Sequence, residues 1–126
     1  MSTAAFIQDP RWTSTYTVST AAGATGPIID QQGYKLAAID MSTAWTTGAI
    51  TFLGGSDTAV MYSLYNDTAE VSISSVLAAT LGSIALRADV QNVLGAHRYI
   101  QLRSGTSTAA STQSTTRALT LIFVPL

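Results

Sequence analysis

His97 is the single histidine of the chain, and a nucleophilic triad or an imidazole metal site would need an acid or a second histidine beside it. It stands between a segment with helical signals and a strand, so its expected role is that of a solvent-facing residue at a strand entry. The carboxylates are Asp9, Asp30, Asp40, Asp57, Asp67, Glu70 and Asp89. Paired-carboxylate hydrolysis would need two of them facing each other across a cleft. Asp57, Asp67 and Asp89 instead fall where turns and helix caps are expected, and there aspartate bonds backbone N–H groups. No spacing matches a helix-loop-helix calcium site, and Gly54 and Gly55 lack the spacing and the lysine of a phosphate loop. A calcium ion held between hairpin loops stays open. With no cysteine, disulfides and thiolate metal sites are excluded. The expectation is a non-enzymatic chain with no cofactor.

Two further sets of residues could recognise a partner. Trp12, Tyr16, Trp45, Tyr62, Tyr65 and Tyr99 could form a sugar-stacking platform, but strands favour aromatic residues for packing anyway. Arg98, Arg103 and Arg117 lie in the last quarter of the chain. Arg98 and Arg103 differ in parity and so belong to opposite faces of a strand. In a chain this poor in charge, each arginine is expected to pair with a carboxylate or a carbonyl. Arg103 and Arg117 are also candidate interface contacts, because arginine is enriched at interfaces.

The elements that must hold these residues read as strands. Residues 11–20 alternate, with Trp12, Ser14, Tyr16 and Val18 on one face and hydroxyl residues on the other. Residues 34–41 read as a second strand, with Leu36 on one face and Ile39 and Met41 on the other. Residues 49–53 read as a third, and Gly54 to Asp57 as a turn into a strand over 60–65. Asn66 and Asp67 predict a tight hairpin turn, since both tolerate left-handed backbone, and 70–74 returns from it. The segment 76–81 fits a strand or a helical turn, and 83–87 reads as a strand. Asp89 is the expected N-cap of a short helix through residue 94, closed by Gly95. The chain ends in a hairpin, 98–106 (RYIQLRSGT) and 117–124 (RALTLIFV), joined by a loop expected to be exposed. The expected fold is all-β: an antiparallel β-sandwich or jelly-roll-like barrel of about seven or eight strands, with one short helix near 89–94. Residues 1–10 read as an N-terminal arm ending in Asp9-Pro10, and 11–126 as a single β-sandwich domain.

Composition narrows the partners. The 126 residues are 47% hydrophobic, enough to form a core, but only 10% charged, with a net charge of −1. Serine and threonine fill the gap at roughly a quarter of the residues, which wets the surface with hydroxyls rather than ions. Little repulsion then keeps copies apart, which favours close assembly. The six basic residues form no stripe and include one lysine, Lys35, which argues against nucleic acid. No apolar run approaches the ~20 residues of a membrane span, and no export signal is apparent, so a soluble protein made in a cytoplasm without export is expected.

At the closing hairpin the chain resembles a family. The run 98–106, then Gln113, then 117–121 (RALTL), is similar to a small β-sandwich domain of tailed-bacteriophage virion proteins. Upstream, 45–52 (WTTGAITF), Ser56-Asp57, Leu64-Tyr65 and Glu70-Val71 follow the same family order. The resemblance spans roughly residues 34–122, and departs where the Ser-Asp turn runs into Thr58, Ala59 and Val60 rather than a glycine-rich tip. It implies a virion structural protein without an active site. Small size and the lack of repeats favour a capsid decoration, or cement, protein on the outer surface of the shell. Its implied partners are the major capsid protein and further copies of itself, with a trimer as the expected homo-oligomer, and neither nucleic acid nor membrane. The arm would clamp the shell, with Phe6, Ile7 and Trp12 as apolar anchors. The alternative is a fibre- or tail-associated module, or a carbohydrate-binding sandwich for host attachment.

Overall fold

In a computed structural model, residues 11–18, 25–41, 45, 48–74, 82–113 and 116–126 are described. The arm 1–10, with Phe6 and Ile7, lies outside these residues, as does the ambiguous segment 76–81. Nine strands and one helix appear among the described residues: β1 Trp12–Val18, β2 Ile29–Asp30, β3 Tyr34–Met41, β4 Ile50–Gly55, β5 Tyr62–Ser63, β6 Ser72–Ile73, β7 Gly82–Ala85, α1 Ala88–Gly95, β8 Tyr99–Ser104 and β9 Arg117–Pro125. They form two sheets. One has the order β1-β9-β3-β7, the other β2-β8-β4-β5, with β6 also pairing with β4. Every pairing is antiparallel. The sheets pack face to face and do not close on each other, so of the two expected forms the chain adopts the sandwich.

Alternation builds the core. In β1, Tyr16 and Val18 are buried while Thr13, Thr15 and Thr17 are exposed, as the period of two requires. Leu119, Leu121 and Phe123 of β9 turn inward, and Ile50 and Phe52 of β4 and Ile100 and Leu102 of β8 meet them from the other sheet. The hydroxyl of Tyr16 crosses the gap and accepts a hydrogen bond from the Leu102 backbone N–H at 2.9 Å. Burial pushes that hydroxyl's pKa well above the ordinary tyrosine value.

Four local expectations are corrected. Leu36 shares the buried face with Ile39 and Met41, because a β-bulge lies between Leu36 and Ala38 and resets the parity of β3. Gly54 and Gly55 belong to β4, and the turn begins after them. A Cβ on Gly54 would stand 3.0 Å from both the His97 ring and Leu64, so glycine lets those two side chains close over the strand. The turn at Asn66 is not left-handed; Gln32 is the one non-glycine residue of positive φ among the described residues. Asn66 Oδ1 instead accepts from the Thr68 and Ala69 N–H groups, an Asx turn closed by the Tyr65–Glu70 bridge. Finally, α1 begins one residue before Asp89. Its N-cap is Arg87, with no side-chain cap, and Asp89 lies in the first turn and pairs with Arg87.

Candidate functional site

The side chains able to do chemistry are held in three polar clusters, each of which fastens elements together. The first lies on the outer face of the second sheet. Inward residues Ile100, Leu102 and Ser104 of β8 leave Tyr99, Gln101 and Arg103 pointing outward. The Arg103 guanidinium pairs with Glu70, and both side chains are only 13% exposed. Its remaining N–H groups donate to Thr51 Oγ1 and Ser63 Oγ, each at 3.0 Å. The Glu70 carboxylate also accepts from the Ser107 backbone N–H at 3.1 Å, and the Ser107 hydroxyl shares a hydrogen bond with Tyr65 Oη. One ion pair thus ties β4, β5 and β8 to the turns at 66–69 and 106–109. A guanidinium on so largely buried a side chain needs this many partners, because removing its hydration is costly otherwise.

The second cluster closes the end of the sandwich at the start of β9. Gln113 is buried and bridges the sheets: its amide N–H donates to Ser104 Oγ, and its oxygen accepts from Arg117 Nε at 3.3 Å. Ser104 also bonds Ser111. The loop joining the last two strands was expected to be exposed; its tip, residues 107–110, is, but Ser111 and Gln113 turn its base inward.

The third cluster sits at the corner where β2 of one sheet leads to β3 of the other. Gln31 is 1% exposed. Its amide donates to the Leu94 and His97 carbonyls, each at 2.8 Å, and its oxygen accepts from the Leu36 N–H at 3.3 Å. Beside it the Asp30 carboxylate pairs with Arg98 at 3.1 Å, and that cation holds the carboxyl below its ordinary pKa. Arg98 also lies 5.1 Å over the Tyr99 ring.

The candidate contact residues are not brought together. Trp12 pairs in register with Phe123, whereas Arg117 pairs with Val18 at the other end of the same strand pair, about 20 Å away at the rise of a strand. Arg103 stands in the opposite sheet, engaged within the chain. The arginines do pair with carboxylates or a carbonyl oxygen, as expected. The six aromatics do not form one platform: Tyr16 and Trp45 are core residues, Tyr99 lies under Arg98, and only Tyr62 and Tyr65 are exposed, the latter bonded to Ser107 through its hydroxyl. Trp12 is half-buried, stacked on Phe123 at 4.5 Å and edge-on to Tyr34 at 6.1 Å. Gln31 and Tyr34 carry no sequence signal of a site, and Glu70 stands in the sequence without its partner. Glu70 could have been found from the rule that a charge-poor strand arginine needs a carboxylate; nothing local to Gln31 reveals its carbonyl partners, 63 and 66 residues away.

His97 is half-buried rather than solvent-facing, with its ring against Gly54. Among the described residues no group of three or more histidine, aspartate or glutamate side chains could hold a metal ion. None of their helices is long and apolar enough to cross a membrane. The fold is that of an all-β sandwich. No protein-family model matches the chain, and neither a curated protein nor a solved structure matches it.

Proposed function

We propose that the chain is a non-enzymatic building block whose work is to pack as a rigid body against a protein surface, and that this surface is the outside of a tailed-bacteriophage capsid, where it acts as a decoration protein. The observation that carries the reading is the resemblance at 34–122, because its residues are the ones that do framework work. Trp45, Phe52 and Leu64 are core, Asp57 caps its turn through the Ala59 and Val60 N–H groups, Glu70 locks Arg103, and Gln113 joins the sheets. A sequence pattern made of such residues marks a fold rather than a site. The charged groups of Asp30, Glu70, Arg98 and Arg103 fasten the chain internally, which leaves hydroxyl-rich faces such as Thr13, Thr15 and Thr17 on β1 for close packing. Among the described residues β1 is an edge strand, and it carries no charged residue, a surface that tolerates a second copy. The proposed partners are therefore the major capsid protein and the chain itself, as a homo-oligomer such as a trimer, at the virion exterior.

Cryo-electron microscopy of the particle produced with this chain tests the reading. Density for the sandwich on the outer capsid surface is expected; a chain found only in the tail, or missing from the particle, overturns it. Removing residues 1–10 is expected to leave the sandwich folded, since its core is built from residues 16–123, and to lower occupancy on the shell. Unchanged occupancy would remove the arm, with Phe6 and Ile7, from the contact.

A further inference from the structure

We infer that the cleft formed by Trp12, Gln32 and Tyr34 is a binding site for a neutral sugar ring. The inference does not depend on the capsid reading. The cleft has a volume of about 300 Å³, and the described residues that line it are those three, none of them charged. That volume is at the small end of ligand pockets, ~300–1,000 Å³. Two walls are aromatic: the Trp12 and Tyr34 rings meet at 64° with centroids 6.1 Å apart, so they form a corner rather than a stack. The third wall is an amide, which both donates and accepts hydrogen bonds. A pyranose has matching chemistry, with C–H groups to lay on an aromatic ring and hydroxyls that both donate and accept.

The backbone at Gln32 is the second, independent observation. The turn from Gln31 to Tyr34 is closed by a 2.8 Å hydrogen bond from the Tyr34 N–H to the Gln31 carbonyl. Its central residues have φ of 50° at Gln32 and 83° at Gly33. Turns of this kind favour asparagine, aspartate or glycine at the first central position, where a longer side chain is strained. Glutamine gains nothing locally there, and its exposed side chain instead lines the cleft. Strain kept at such a position points to a function for the side chain.

The site is also pre-organised, which lowers the ordering cost of binding. Gln31 pins the turn to the Leu94 and His97 carbonyls, the Asp30 carboxylate accepts from the Gln32 N–H at 3.1 Å, and the Leu126 N–H donates to the Gly33 carbonyl at 3.0 Å. Trp12 is fixed by its stack on Phe123.

An array of neutral oligosaccharides, read with the full chain, tests the inference. Hits are then titrated by tryptophan fluorescence. Trp45 is buried at 2% exposure, so a sugar-dependent shift reports Trp12. The decisive variant is Gln32→Gly, which accepts the left-handed backbone without strain and so stays folded while removing the amide. It is expected to bind about tenfold more weakly, the loss of one or two hydrogen bonds. An array without hits overturns the inference, as does equal binding by Gln32→Gly. A polyproline peptide that shifts the Trp12 emission when no sugar does would assign the cleft to a peptide instead and overturn it as well.

Discussion

At the scale of single residues, the side chains of this protein act as fasteners, and their worth follows from what they would leave behind. Gln31→Leu roughly keeps the volume but takes the side-chain partner from the buried Leu36 N–H and the part-buried His97 carbonyl, while the Leu94 carbonyl keeps the His97 N–H at 3.2 Å. A loss of about 2–4 kcal/mol is expected, because each orphaned group costs its own desolvation. A urea titration against the wild-type chain measures it; a midpoint that does not fall would show that the corner is held by packing alone. Asp30 gives a pH signature. Arg98 holds its folded-state pKa below the ordinary 3.8, so the pair's contribution is fully present above that value. It is lost as pH falls through the lower folded value, when the carboxyl protonates. Asp30→Asn should therefore flatten the acid limb of the stability profile and leave its neutral and basic limbs parallel to wild type. The effect is small, since the pair is exposed to solvent. Denaturant midpoints measured across the acid range check it.

At the scale of elements, the Glu70–Arg103 pair decides whether two turns are ordered. The turn at 66–69 ends on Glu70, and the turn at 106–109 is joined to it through Ser107. Glu70→Gln leaves a guanidinium 13% exposed without its counter-charge, a loss of about 3 kcal/mol on the scale of broken buried pairs. The local readout is more telling. Amide hydrogen exchange should quicken at Ser107 and in both turns, while β9 in the other sheet keeps its protection. Uniform acceleration over the chain would mean that the pair serves global stability and not these turns. The elements also mark where a linear reading stops. Alternation in β1 was legible because the strand runs unbroken in register against β9. In β3 it failed at a single bulged residue, because a bulge depends on what β9 offers opposite, more than 80 residues along the chain. The helix was legible in Asp89 near its start and Gly95 at its end, but its cap was not, since a cap depends on where β7 releases the chain.

At the scale of the whole molecule, the two sheets share one core and are stitched across it by Tyr16 to Leu102, Gln31 to the α1–β8 segment and Gln113 to Ser104. Neither sheet has a buried face without the other. Thermal unfolding should be a single transition with an enthalpy of about 90 kcal/mol, from roughly 0.7 kcal/mol per residue. Backbone circular dichroism and aromatic signals should fall together. Separate transitions would show that one sheet survives alone.

The sequence by itself determined the fold class, the two faces of β1 and the scarcity of charge. Each of these rests on the period of two, on turn-forming residues and on composition, which are local properties of the chain. It also held the hairpin pattern on which the capsid reading stands. The partners of the polar side chains were decided only by the tertiary structure. Glu70 meets Arg103 across 33 positions, Gln31 meets the end of α1 across 63, and Trp12 faces Tyr34 from a strand two places away in the sheet. Strand order and register set those meetings, and they follow from how two sheets bury one core, which no short window of residues encodes.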